Sequence, residues 1–229
     1  MLFDFDRGEM LLIDKPLDWT SFDVVNYMRK TITKYLNHNI KVGHAGTLDP
    51  KATGLLIVLT GKKTKLMGEL LNLNKEYVGT MKLGETTPSY DRELDIDNTY
   101  PFEHISENDI YALAKKFIGR QEQYPPVYSA VKIDGKRAYE YARENLDVVI
   151  NPRFINIYEF EITKIDLPYI DFRVVCSSGT FIRSIVRDFG FLLDSGAVLE
   201  NLRRTKIGDY SVTDAHDPRL LNDLLEQFH

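Results

Sequence analysis

The segment Gly43-His44-Ala45-Gly46-Thr47-Leu48-Asp49-Pro50-Lys51-Ala52-Thr53-Gly54 runs directly into Leu55-Leu56-Ile57-Val58-Leu59. Five consecutive aliphatic side chains leave no polar position for solvent, so Leu55 to Thr60 predicts a buried strand. The loop before it is made of small and turn-forming residues around one carboxylate, Asp49. Lys41 and Lys51 flank that acid, and His44 stands nearby. Such a loop holds an acid at the lip of a buried sheet, with backbone that a ligand can approach closely. It is equally a plain turn, because Asp bonds nearby backbone N–H groups and Pro sets its own φ. Local chemistry leaves both readings standing.

The chain has 229 residues, enough for one large domain or two small ones with a covered core. Cys176 is the single cysteine, so no intrachain disulfide forms and a reducing compartment fits. The longest aliphatic run is Leu55 to Leu59, far too short for a bilayer. The first residues, Met1-Leu2-Phe3-Asp4-Phe5-Asp6, carry acids where a signal peptide carries cations. A cytoplasmic protein, with no membrane partner, is expected. The net charge of −5 argues against binding nucleic acid through bulk charge. Local charge differs: Lys41 to Lys65 holds five cations and one acid, a balance of +4, whereas Asp91 to Asp97 holds four acids and one cation. Each run also reads as an ordinary solvated face.

Met10 to Asp14 predicts a strand. Thr20-Ser21 predicts a helix cap, followed by a helix to about Tyr35 with Phe22, Val25, Met28 and Ile32 on its apolar face. A short helix is expected over Lys62–Leu71, and a strand over Lys75–Glu85, where Tyr77, Gly79, Met81 and Leu83 alternate. Ser106 to Asp109 is a capping-box signature before Ile110, Leu113 and Phe117, with Gly119 as the stop. Gln121 to Asn151 reads as an excursion from the core, with a strand at Ala130–Ile133 and a polar helix at Lys136–Glu144. Ile155–Ile165 and Tyr169–Cys176 predict strands. Gly179-Thr180 opens a helix with Ile182, Ile185, Val186, Phe189 and Leu192 on one face, and Leu199–Val212 is a cation-rich strand. A last short helix is expected over Leu220–Phe228. The mixture lacks a βαβ rhythm, so the expected class is α+β, in a single domain over residues 1–229.

Thr60-Gly61-Lys62-Lys63-Thr64 is not a phosphate loop: six residues separate Gly54 from Gly61, where that motif needs four. The five histidines show no metal-ligand spacing, and no metal or cofactor is expected. No nucleophile-elbow sequence is present, which leaves carboxylate chemistry as the most accessible. Arg183 and Arg187 lie at i and i+4 near a helix start, where cations are mildly unfavourable. They read either as a solvated pair or as a local conflict of the kind found at functional sites. Tyr77 reads as a strand aromatic. Arg203, Arg204 and Lys206 read as phosphate contacts or as a charged guard on an edge strand.

Together these segments resemble the TruB family of tRNA pseudouridine synthases. Ile13-Asp14-Lys15-Pro16 with Trp19-Thr20-Ser21 resembles the family's first motif, and Gly43 to Pro50 with Ala52-Thr53-Gly54 its catalytic loop. Pro125 to Lys132 with Gly135 and Tyr139 to Arg143 resembles an RNA-contacting insertion, at about residues 121–151. Ser178 to Arg183 and Leu202 to Thr205 resemble the last two motifs. The resemblance covers about residues 10 to 208. It implies the pseudouridine synthase fold, a mixed and largely antiparallel central sheet flanked by helices and loops. It also implies isomerisation of uridine-55 in the tRNA T-loop without a cofactor. Asp49 is then the nucleophile, at the ribose C1′ or at C6 of the base. Arg183 pairs with and orients it, Tyr77 stacks on the target uracil, and Phe181 and Leu202 line the base pocket. His44 fills the space the base leaves when it flips out of the loop.

Three departures stand out. Asp18 replaces a common glycine, Phe181 replaces a usual tyrosine, and the chain ends about twenty residues after the last motif. The expectation is therefore a short form without the C-terminal PUA-like domain, acting as a monomer with no obligate protein partner. Two rivals accompany this reading: a tRNA-folding chaperone without chemistry, and a synthase working on another RNA within a guide-RNA particle.

Overall fold

The computed structural model describes residues 3–133, 135–144, 146 and 148–226. The chain divides into two compact units, Met1–Tyr77 with Arg203–His229, and Val78–Leu202. In chain order the elements are β1 (Met10–Lys15), α1 (Ser21–Leu36), β2 (Val42–Ala45), β3 (Ala52–Thr60), α2 (Met67–Asn72), β4 (Lys75–Leu83), β5 (Glu85–Thr86) and β6 (Asn98–Thr99). There follow α3 (Glu107–Lys116), β7 (Gly119–Gln123), β8 (Lys132–Ile133), β9 (Lys136–Arg137), α4 (Ala138–Arg143), β10 (Arg153–Asp166) and β11 (Tyr169–Cys176). The last are α5 (Ile182–Leu192), β12 (Ala197–Ile207), β13 (Tyr210–Ser211) and α6 (Leu220–Glu226). This is the α+β class, a mixed sheet flanked by helices. By residue range, β4 and β12 contribute to both units.

In the first unit β3 lies between β1 and β12. It pairs antiparallel with β1 from Met10↔Leu59 to Lys15↔Gly54, and β2 joins it from Val42↔Thr60 to Ala45↔Ile57. Alternation sends Leu56 and Val58 into a core with Ile13, Val25, Met28 and Leu225. Leu55, Ile57 and Leu59 enter a second core with Ala45, Leu70 and Ile207. Both faces of β3 are covered, which is why its sequence carries no polar alternation. On one side α1 starts at a reciprocal cap: Thr20 accepts from the Asp23 N–H, and Asp23 accepts from the Thr20 N–H. Its buried face is Ser21, Val24, Val25, Met28 and Ile32. Phe22, expected on that face, is 60% exposed, and Val24 is buried instead. The expected helix over Lys62–Leu71 is a tight 3₁₀ turn, Gly61–Leu66, followed by α2.

In the second unit the order is β12-β4-β11-β10-β7. The alternation on β4 and β11 matches the sequence pattern, with Met81, Leu83, Ile170, Phe172, Val174 and Cys176 buried. Phe160 sits at the centre of an aromatic cluster, edge-on to Phe117, Phe172 and Phe189 at centroid distances of 5.7, 5.8 and 5.8 Å. Leu192 was expected on the core face of α5 but is 59% exposed. Residues 121–123 belong to β7, paired with β10 from Arg153↔Gln123 to Ile157↔Gly119, so the chain leaves the sheet only after Gln123. Within that excursion a β8–β9 hairpin, Lys132↔Arg137, precedes a helix shorter than expected. Asp134, Asn145 and Asp147 of this region, and residues 227 and 228 of the expected last helix, lie outside the described residues.

Truncating Phe189 should therefore cost about 3–5 kcal/mol, whereas Leu192→Ala should stay within about 0.5 kcal/mol. Urea unfolding of the two variants checks the assignment of the α5 faces.

Candidate active site

The first unit holds Asp49 on the connection between β2 and β3. The loop closes on itself where the Ala52 N–H donates to the Asp49 carbonyl at 3.1 Å. Leu48 is buried beneath it, and its N–H donates to Ser21 Oγ at 2.8 Å while that hydroxyl donates to the Leu48 carbonyl at 3.1 Å. The cap residues of α1 thus grip the loop. Asp18 adds a second grip. Its N–H donates to the Pro50 carbonyl at 2.9 Å, and its carboxylate takes Lys51 at 2.8 Å. Asp18 has φ +63, the left-handed region that favours glycine, which accounts for the glycine at this place in the resembled motif. The aspartate adopts that conformation and gains the Lys51 contact.

Lys15 is fully buried at the end of β1. Its Nζ donates to the carbonyls of Pro16 (2.9 Å), Trp19 (2.5 Å) and Pro50 (3.4 Å). Burial pushes its pKa down to about 8, against the charges of Asp49 and Asp18, which favour the ammonium. The ammonium thereby gathers the first motif and the Asp49 loop around one cation.

Arg203 and Arg204 separate in function. Arg203 makes a two-pronged pair with Asp14, at 3.0 and 2.7 Å. Arg204 is buried, donating from Nε to the Leu55 carbonyl (2.8 Å) and from Nη2 to the Gly46 carbonyl (3.0 Å). β12 lies between β3 and β4, so neither guards a sheet edge, and the buried Arg204 is not a surface phosphate contact. Lys206 is exposed, 3.7 Å from Glu76. Gly54, at φ +103, lies against the Arg204 backbone: a Cβ there would sit 2.3 Å from the Arg204 carbonyl oxygen.

His44, on β2 opposite Val58, is half-buried. Burial and the Arg204 guanidinium hold its pKa below the usual value, with the Gly46 backbone opposing them, so the ring is neutral at pH 7. Tyr77 is buried on β4, and Asp49 itself is half-buried.

The second unit holds Phe181, Arg183 and Leu202. Phe181 precedes α5, its N–H and carbonyl both clasped by the Gln123 amide at 2.8 and 3.0 Å. The Arg153 guanidinium lies 5.0 Å from its ring centroid. Arg183 is in the first turn of α5 and is 3% exposed, so the solvated-pair reading does not hold for it. It donates to the carbonyls of Ser89 (3.0 Å) and Tyr128 (2.9 Å), with Nε 3.6 Å from the Asp91 carboxylate. Arg187, by contrast, pairs with Asp188 at 2.7 Å and lies over the Tyr90 ring. Leu202 is buried on β12 beside Gly79, where a Cβ would crowd the Asn201 carbonyl oxygen at 2.7 Å and the Leu202 side chain at 3.3 Å.

The sequence alone does not mark Asp91 or Lys15 as site residues. Asp91 sits in an acidic run whose composition reads as solvated surface, and nothing in the spacing marks it as a buried acid. Lys15 lay inside a recognised motif without any signal that its amine is buried. Among the described residues no group of three or more His, Cys, Asp or Glu is placed to hold a metal ion. Among those residues, too, no helix is long and apolar enough to cross a membrane.

Comparison with known proteins places this geometry in a family. The description "TruB family pseudouridylate synthase (N terminal domain)" matches residues 32–182. A protein named tRNA pseudouridine synthase B from Flavobacterium johnsoniae is 52% identical over 225 residues, covering 97% of this chain and 98% of its own. The protein of that name from Parabacteroides distasonis is 50% identical, covering 98% and 96%. Among solved structures, the archaeal box H/ACA sRNP Nop10–Cbf5 complex contains a chain with TM-score 0.70 and 29% identity. That match covers 98% of the present chain and 55% of that one, so the chain spans little more than half of that protein. The fold and the matched motifs are those of a pseudouridylate synthase. The chain belongs to the TruB family.

Two measurements check the supports of the loop. Gly54→Ala should lose about 2–4 kcal/mol, because a left-handed φ and a backbone collision are penalised together. Calorimetry of that variant reads the loss directly. For Lys15 the folded pKa lies below the unfolded value, so the unfolded chain binds more protons between about pH 8 and 10.5. Stability relative to Lys15→Met should rise across that window, by at most about 3 kcal/mol, and level off below pH 8. Urea unfolding of both proteins at a series of pH values follows the difference.

Proposed function

We propose that this protein is a tRNA pseudouridine synthase that converts uridine-55 of the T-loop to pseudouridine, with Asp49 as nucleophile. The observation that carries the reading is the Asp49 loop: a half-buried carboxylate on a connection gripped by Ser21, Asp18, Lys15 and Arg204. A turn needed only to reverse the chain requires no such set of buried cations. A nucleophile does require fixed placement, and covalent attack divides one hard rearrangement into two easier steps. Attack at the ribose C1′ and addition at C6 of the base are both open to this carboxylate.

The other assignments follow the resemblance and fit their surroundings. Tyr77 would stack on the uracil, a flat apolar body with a polar tip. Neutral His44 would occupy the space left by the flipped base without adding a buried charge. Phe181 and Leu202 would line the base pocket. Arg183, already held by Asp91, Ser89 and Tyr128, would orient the nucleophile. Phe181 offers no hydroxyl, and its packing beneath Arg153 suits a lining role. The segment after Gln123 would be the RNA-contacting insertion, and Lys41, Lys62, Lys63 and Lys65 are exposed for phosphate contacts. Loop shape and unstacked bases carry this kind of recognition, so a net charge of −5 is compatible with it. The names of the near-full-length relatives support tRNA as substrate over a target presented in a guide-RNA particle. A monomer working in the cytoplasm without a metal, cofactor or obligate partner completes the reading.

Incubation with tRNA tritiated at C5 of uridine releases tritium as pseudouridine forms. Wild type should release it from the T-loop site, and Asp49→Ala should lower the rate by at least about 10⁴-fold, while filter binding of tRNA stays within about threefold. Turnover by the Asp49→Ala protein would remove the nucleophile assignment, and tRNA binding without turnover by wild type would favour the chaperone.

A further inference from the structure

Arg204, like Lys15, is a buried cation beside the Asp49 loop, and no motif-based role accounts for its side chain. It lies on β12, directly against β3. Its Nε bonds the Leu55 carbonyl, one residue past the loop, and its Nη2 bonds the Gly46 carbonyl, at the loop's start. The two carbonyls bracket Asp49. A planar guanidinium offers two donors at a set separation, so one side chain fixes the distance between the two ends of the loop. Both glycines of the loop that have left-handed φ face this residue. Gly46, at φ +98, would place a Cβ 3.4 Å from Arg204 Nη1, and Gly54 would meet the Arg204 backbone. Gly54 is thus required by the Arg204 backbone, and Gly46 lies within ordinary contact of its guanidinium.

We propose that Arg204 is a positioning residue for the reaction: its guanidinium holds the ends of the Asp49 loop at a fixed separation and supplies a permanent positive charge beneath it. This rests on the reading of Asp49 as nucleophile. A lysine in its place would keep the charge but not the fork, and the loop would retain one anchor of two. A methionine would keep the volume and lose both. The charge acts on the neighbouring ring as well, since the guanidinium helps keep His44 neutral.

The full-length protein should be compared as wild type, Arg204→Lys, Arg204→Met and Asp49→Ala. Single-turnover pseudouridine formation in tRNA should slow by at least about tenfold in Arg204→Lys and about 100-fold in Arg204→Met. KM for tRNA should change less than about threefold in both. Two readouts are independent of activity. Hydrogen exchange at the Leu48 and Ala52 amides should quicken in both variants. The His44 imidazole titration, followed by NMR, should move up towards its ordinary value in Arg204→Met and stay low in Arg204→Lys. The His44 shift reports that the guanidinium charge reaches the ring, whereas a merely structural role would lower stability without slowing the single-turnover rate of the folded variants.

A folded Arg204→Lys with wild-type rate and wild-type exchange at Leu48 and Ala52 overturns the proposal. If Arg204→Met does not fold, Arg204→Lys decides alone, and if neither folds the positioning role is replaced by a purely structural one. Activity in Asp49→Ala would instead overturn the nucleophile reading, while the exchange and His44 measurements still judge Arg204.

Discussion

Strand β3 has no solvent face, and the first unit is organised around that constraint. Leu56 and Val58 need cover on one side, and α1 supplies it with Val25 and Met28. Leu55, Ile57 and Leu59 need cover on the other, from Leu70 and Ile207. A strand covered on both faces and paired on both edges cannot slip, because a one-residue shift would exchange its two cores. Whatever is tied to its N-terminal end therefore inherits a fixed position. The Asp49 loop is tied there, through Gly54 packed on the Arg204 backbone and the Leu55 carbonyl held by the Arg204 side chain.

Around that anchor the buried cations donate to backbone carbonyls. Lys15 donates to three of them and Arg204 to two. Burying two cations is unfavourable unless their donors are occupied and negative charge is close. The depressed pKa of Lys15 records the unfavourable part, and the contribution of Asp49 records the compensation. The carboxylate and the cations sustain one another: remove the acid and the ammonium is less stable, remove the cations and the loop loses its struts. Arg183 in the second unit follows the same pattern, held by two carbonyls and the buried Asp91.

Legibility in the sequence followed the range of the interaction. Capping boxes at Thr20 and Ser106, alternation on β4 and β11, and the apolar run of β3 are local patterns, and the elements formed where those patterns placed them. Where local spacing misled, tertiary packing decided which positions of a periodic face are covered. Phe22 and Leu192 have the right period for a buried face but stand at its margins and stay 60% and 59% exposed. The β8–β9 hairpin rests on a two-residue pairing too short to leave a periodic signature.

The sequence by itself determined the order of the elements, the family to which the chain belongs, and the loop that carries Asp49. Those follow from periodicity, cap chemistry and motif spacing, which act over a few residues. Only the tertiary structure decided what each charge does. Three cations in one short stretch, Arg203, Arg204 and Lys206, became an ion-paired strut, a buried clamp and a surface charge. Four acids between Asp91 and Asp97 became one buried partner for Arg183 and three others. The energy of a charged group depends on the dielectric around it and on partners brought from distant parts of the chain, and neither is written in its neighbours.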